Sequence, residues 1–274
     1  MGDRSSVSAM KIVWRAALLC LLAGPLAAGE FIILQSTTST ENTGLFDHIL
    51  PRFEAETGID VRVVAVGTGQ ALKNAARGDG DVVLVHARSA EEAFVAAGHG
   101  RARYDVMFND FVIVGPPEDP AGIRGLSDAV EALDRISRTR ARFTSRGDDS
   151  GTHKAELALW ADTNVDLRTA SGTWYLETGA GMGATLNIAT ATGAYVLTDR
   201  ATWISFGNKG RQEILVAGDP RLLNQYGVIP VSHPSAKGDL AESFVEWILS
   251  EAGQAAIAGF TRDGVQLFVP NAEK

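Results

Sequence analysis

The 274-residue chain has a single cysteine, Cys20. One thiol gives no disulfide framework and no Cys-based metal or redox centre. Nor is there a Lys/Arg-dense run: 25 basic residues face 33 acidic ones, for a net charge of -8. Counterion release needs a basic face, so nucleic acid is excluded as a partner. The bulk charge is also wrong for attracting anions, so any anion site must be local. Wholesale disorder is excluded too, because 45% of residues are hydrophobic and 21% charged, close to the globular average.

Only one apolar run near the N-terminus invites a membrane reading. It extends from Ala16 to Leu26, about eleven residues, too short to cross a bilayer core of roughly 30 Å as a helix. Arg4, Lys11 and Arg15 precede it, and Pro25, Ala27, Ala28 and Gly29 close it. This order is that of a cleaved secretory signal peptide over residues 1–28, with a membrane anchor as the alternative. Cleavage is expected after Ala28 or Gly29. Cys20 lies in the segment that would be removed, and Leu18 and Leu19 before it do not suit lipidation. The expected product is an acidic, exported, periplasmic protein without cysteine.

From Phe31 onward short apolar runs alternate with amphipathic segments. Strands are expected at Phe31–Leu34, Asp60–Val66, Val82–Val85 and Asn109–Val114. Helical spacing joins Leu45, Ile49, Leu50 and Phe53, then Ala71, Leu72, Ala75 and Ala76, then Glu91 to Ala97. Such alternation predicts βαβ units and a parallel sheet. Beyond Gly115-Pro116-Pro117 the reading is helix Leu126–Ile136, strand Ala141–Thr144, a helix through Ala155 and Trp160, helix Ala184–Thr192 and strand Tyr195–Thr198. Apolar returns at Ile214–Ala217 and Gly227–Val231 precede two C-terminal helices. Two α/β lobes fit this layout: residues 29–114 with 227–274 form lobe I, and 115–226 form lobe II. One doubly wound domain or two serial domains are the alternatives, and no Pro/Ser-rich linker favours the latter.

Three hydroxyl- and glycine-rich loops each precede an expected helix: Ser36–Thr40, Gly67–Gly69 and Ser145–His153. Helix N-termini carry unpaired N–H groups and partial positive charge. Converging on one cleft, they would hold an anion without a basic surface. Taken singly, each loop reads first as ordinary helix capping; three on one side of a parallel sheet point more strongly to a ligand. In the third loop Arg146 can fork onto two ligand oxygens, and Asp148 or Asp149 would steady it.

Here a family resemblance becomes specific. Ser145-Arg146-Gly147-Asp148-Asp149-Ser150-Gly151-Thr152-His153 resembles the anion loop of periplasmic phosphate-binding proteins. The longer match is to the substrate-binding proteins of tungstate ABC transporters. It includes Ser36-Thr37-Thr38-Ser39, Val66–Leu72, Phe108–Gly115, Trp174–Gly179, Gly181–Asn187, Leu197–Arg200 and Tyr226–Ile229. The similarity runs from about residue 31 to 270. It implies a two-lobed periplasmic binding protein fold of type II kind, each lobe a mostly parallel sheet flanked by helices, joined by two crossovers. It further implies tungstate or molybdate in the cleft, held by Thr37, Thr38, Ser39 and Thr68 from lobe I and Arg146, Ser150, Gly151 and Thr152 from lobe II. A membrane permease is the implied partner, the protein itself being a monomer with no cofactor and no catalytic residue. Ser36 departs from the family's threonine, which leaves its hydroxyl unassigned.

His86 and Arg88 follow the third strand and are expected in a solvated loop or at the cleft. Arg200 is expected either at the cleft or in a salt bridge within lobe II. His48, His99 and His233 show no metal-ligand spacing. Trp174, Tyr175 and Trp203 are expected in the core. No acid is expected among the donors, which would favour fully ionised dianions over phosphate. Phosphate or sulfate binding is the first alternative. An exported serine hydrolase using Ser150 and His153 is the second, disfavoured because no Gly-x-Ser-x-Gly elbow exists.

Overall fold

The computed structural model of the protein describes residues 29–273, so the expected signal peptide lies outside the described residues. The first stretch runs β1 (Phe31–Thr37), α1 (Thr38–Thr43), α2 (Leu45–Thr57), β2 (Asp60–Val66), α3 (Thr68–Ala76), β3 (Val82–Val85), α4 (Arg88–Ala96) and β4 (Tyr104–Gly115). The middle contains α5 (Ala129–Thr139), β5 (Phe143–Ser145), α6 (Gly151–Ala161), α7 (Leu167–Ala170), β6 (Tyr175–Glu177), α8 (Met182–Thr192), β7 (Val196–Asp199), α9 (Arg200–Ser205) and β8 (Glu213–Val216). The chain then returns as β9 (Leu223–Pro230), α10 (Gly238–Leu249), α11 (Glu251–Ala258), β10 (Thr261–Arg262), β11 (Val265–Gln266) and β12 (Val269–Pro270).

The fold is α/β, as the alternation predicts. β2, β1 and β3 are parallel, and β1 pairs with β2 along its whole length, from Phe31 opposite Asp60 to Thr37 opposite Val66. Their C-terminal ends therefore lie level at one edge of the sheet. β9 returns antiparallel beside β3, and β4 lies antiparallel beside β9. β4 then changes partners. Tyr104 to Asp110 pair with β9, whereas Phe111 to Gly115 pair with β7 and β8. One strand thus serves both halves of the sheet.

Alternation along the strands sorts the core into four clusters, since successive side chains face opposite sides. Val82 and Leu84 join Ile32, Leu34, Phe53, Phe244 and Ile248 on one face, under α2, α10 and α11. Val83 and Val85 join Ala71, Ala75 and Phe94 on the other, under α3 and α4. Phe111 and Ile113 face Leu133, Ile136, Phe143 and Trp160, while Val112 and Val114 face Met182, Leu186 and Trp203. Ala201 and Ile204 of α9 reach across to the first cluster. Tyr175 and Trp203 are buried, and Trp174 packs against Trp160, as expected of core aromatics.

Helix α5 begins three residues later than the apolar periodicity suggests. Asp128 stops it by accepting from Glu131 N at 2.9 Å, which makes Asp128 the cap and Ala129 the first helical residue.

Candidate anion site

The level strand ends deliver three segments to one edge. At the first, Thr37 leaves β1 and caps α1, accepting from Thr40 N at 3.2 Å. Its hydroxyl lies 3.0 Å from Ser39 Oγ and 2.7 Å from Thr40 Oγ1. Thr38 is half-buried. Ser36 is turned away, donating to the Leu84 carbonyl at 2.6 Å, so its hydroxyl ties β1 to β3. At the second, Gly67 precedes α3 and Thr68 is fully buried. At the third, after β3, His86 is only 4% exposed and its Nε2 lies 3.0 Å from Ser39 Oγ.

The loop between β5 and α6 docks against these ends. Gly151 N donates to Thr68 Oγ1 at 3.1 Å. A Cβ on Gly151 would come within 2.8 Å of the His86 ring and 2.9 Å of the His86 carbonyl. Only glycine lets the N-terminus of α6 approach so closely. Ser150 caps α6 by accepting from His153 N at 3.2 Å. The structure therefore joins Ser39 and Gly151 to His86, with Thr37 bonded to Ser39 and Thr68 to Gly151.

Arg146 is the buried charge among them, 2% exposed. Its Nε and Nη2 donate to Asp148 Oδ2 at 3.1 and 2.5 Å, which fixes the plane of the guanidinium. Among the described residues its Nη1 is buried without a hydrogen-bond partner, and so is the Thr152 hydroxyl. A buried donor left unpaired costs on the order of 1–3 kcal/mol, more when charged. An anion accepting from both would remove that cost.

Asp199 lies within reach of the Arg146 charge. It is fully buried at the end of β7, accepts from Thr202 N at 2.8 Å, and takes a long bond of 3.3 Å from Asn109 Nδ2. Burial pushes its carboxyl above the ordinary value, against the opposing pull of Thr202, Arg146 and Asn109. β7 ends near the buried Arg146, and its last residue is an acid that the sequence reading did not place there. Burial also pulls His86 down to about 4, with the Arg146 charge adding to that and the Asn224 bond opposing it. His86 is accordingly neutral at pH 7.

The other candidates divide. Arg88 is exposed and pairs with Glu92 at 2.9 Å, apart from His86 in role. Arg200 grips Asp110 of β4 at 2.7 and 2.5 Å, so its salt bridge is not within residues 115–226 as expected but reaches the shared strand that precedes them. His153 Nδ1 accepts from Asp149 N at 3.1 Å, and Ser150 Oγ bonds the His153 backbone. That geometry does not pair the serine with the imidazole as nucleophile and base.

Sequence reasoning gave no site role to Asn109, Asn224, Tyr226 or Asp199. The signal was present: Asn109 is a polar residue inside an apolar strand, and Asp199 and Tyr226 fall inside motifs shared with the family. What hid them is that β4, β7 and β9 meet only in the folded sheet.

The pattern of the PBP superfamily domain matches residues 24–252. Over 250 residues the chain is 48% identical to "Tungstate-binding protein TupA" of Peptoclostridium acidaminophilum, spanning 89% of this chain and 86% of that protein. The chain belongs to the tungstate-binding protein family. Two solved structures are similar throughout. The tungstate-binding protein TupA from Desulfovibrio alaskensis G20 is 47% identical, with a TM-score of 0.77, covering 89% of this chain and all of that one. The tungstate ABC transporter structure from Geobacter sulfurreducens is 46% identical, also with a TM-score of 0.77, covering 84% and 99%. In this member of the tungstate-binding family, Ser36–Ser39 and Val66–Leu72 lie at the level ends of β1 and β2, and the Ser145–His153 loop meets them at the Thr68–Gly151 bond.

Proposed function

We propose that this protein is an extracytoplasmic solute-binding protein that captures tungstate, and also molybdate, and hands it to an ABC transporter permease. The observation that carries the reading is the buried Arg146 guanidinium with Nη1 unpaired, set among neutral hydroxyl and amide donors. Thr37, Thr38, Ser39 and Thr68 supply one wall, and Arg146, Ser150, Gly151 and Thr152 the other. N–H groups at the starts of α3 and α6 add partial positive charge. The anion is bound whole and undergoes no chemistry. Its capture takes place in the periplasm, by a monomer released from its signal peptide. Among the described residues no helix is long and apolar enough to cross a membrane.

The two pairs of cores are two lobes, residues 29–114 with 227–274 and residues 115–226, hinged where β4 and β9 pass between them. They close on the anion, and the permease engages the closed form. A second reading, phosphate, is favoured by Asp199, since a buried carboxylate can accept the proton of hydrogen phosphate. Competition titration separates the two. Tungstate should hold against phosphate by at least about a hundredfold, or about 2.7 kcal/mol. Phosphate displacing tungstate at comparable concentration would move the assignment to the second reading.

A further inference from the structure

A chain of buried side chains links the two sides of the site. Asp199 Oδ1 is 3.3 Å from Asn109 Nδ2, Asn109 Oδ1 is 2.6 Å from Asn224 Nδ2, Asn224 Oδ1 is 3.0 Å from His86 Nδ1, and His86 Nε2 is 3.0 Å from Ser39 Oγ. All five residues are at least nine-tenths buried. The chain crosses the hinge strands, because Asn109 sits on β4 and Asn224 on β9.

Each link has one donor and one acceptor, so the chain has a direction. With Asp199 ionised, Asn109 and Asn224 donate towards it. His86 then carries its proton on Nδ1, and its bare Nε2 accepts the Ser39 hydroxyl. Ser39 has only that one proton, and it faces an anion with lone pairs. With a proton on Asp199, the carboxyl donates to Asn109, both amides turn over in place, and His86 carries its proton on Nε2. His86 then donates to Ser39, whose own O–H is free for the anion.

We propose that Asp199 is a positioning residue for the anion. It takes up one proton from the surrounding buffer as the anion binds and, through Asn109, Asn224 and His86, turns the Ser39 hydroxyl into a donor. The idea rests on the cleft being the anion site. A dianion beside a carboxylate repels it, which favours the protonated form of Asp199 in the bound state. The other groups around Asp199 do not supply that proton. Arg146 faces it from the loop after β5 as a fixed cation, Thr202 from α9 is neutral, and burial holds the Tyr226 phenol of β9 protonated. Arg200 is turned onto Asp110. The relayed proton sits on Asp199 Oδ1, the oxygen that faces Asn109, which keeps a lone pair for the Thr202 N–H.

The test is calorimetric titration with tungstate in buffers of different ionisation enthalpy, across neutral to alkaline pH, for the wild type and Asp199→Asn. With its side-chain oxygen on Thr202 N, asparagine keeps the helix cap and has no proton to take up. The wild type should take up close to one proton where free Asp199 is ionised, with affinity falling roughly tenfold per pH unit there. Asp199→Asn should bind with no such uptake and a flat profile. In parallel, nitrogen NMR of the imidazoles should show His86 moving from Nδ1–H to Nε2–H on adding tungstate. Equal proton uptake in both proteins, or a His86 tautomer unchanged by tungstate, would overturn the proposal while leaving the site intact. Failure of both proteins to bind tungstate would instead sink the assignment of the cleft.

Discussion

Arg146 carries the site's positive charge, and its surroundings explain why one arginine suffices in a protein of net charge -8. Asp148 takes two of its donors and leaves Nη1 without a hydrogen-bond partner among the described residues. Arg146→Ala should therefore weaken tungstate binding by roughly 2–5 kcal/mol, the cost of truncating a buried charge partner. Arg146→Lys should recover only part of it, because an ammonium lacks the planar fork. Calorimetric titration reads both, and a loss below about threefold for the alanine variant would remove Arg146 from the site. The arginine and the hydroxyl loops were legible in the sequence because each sits in a short local motif. His86 was less so: nothing in His86-Ala87-Arg88 says which of the two basic residues is buried. The structure answers that through Gly151, whose missing side chain makes room for the imidazole.

At the scale of elements, strand ends and helix starts were readable from apolar periodicity, and β2 and β3 fall where the pattern puts them. The partner change within β4 was not readable. The stretch read as this strand, Asn109–Val114, straddles the change, and only the arrival of β7 and β8 divides it. Helix α6 shows how the anion loop is kept in place. Gly151→Ala should push α6 off the end of β3, lowering both the melting temperature and tungstate affinity. A variant matching the wild type in both would contradict the close approach. Behind the loop, Glu156 of α6 is buried and hydrogen-bonded to Trp160 Nε1 at 3.2 Å and Tyr175 OH at 2.6 Å. Burial pushes its carboxyl up to about 7 from an ordinary value of 4.5. Between those two values the unfolded chain loses the proton and the folded one keeps it. Its contribution to stability is full below 4.5, falls as pH rises through the window, and is flat above 7. Relative to Glu156→Gln, the wild type should lose roughly 3 kcal/mol across that window. Urea unfolding at pH 4.5, 6 and 8 would show it, and a pH-independent difference between the two proteins would refute it.

For the whole molecule, the central feature is one sheet that two sets of cores share through β4 and β9. On the proposed two-lobe reading, the donors on its two sides, Thr37 to Thr68 and Arg146 to Thr152, come together where the halves meet, at the Thr68–Gly151 bond. Saturating tungstate should shrink the radius of gyration and raise the melting temperature. At a hundredfold excess over Kd the added stability is about 2.7 kcal/mol. Small-angle scattering curves identical with and without tungstate would refute the hinge. The most direct measurement is a crystal grown with tungstate and an anomalous difference map recorded at a tungsten absorption edge. A single strong peak should lie between the Thr37–Ser39 turn, Thr68 and Arg146 Nη1. A peak elsewhere, or none at saturating tungstate, would contradict the account.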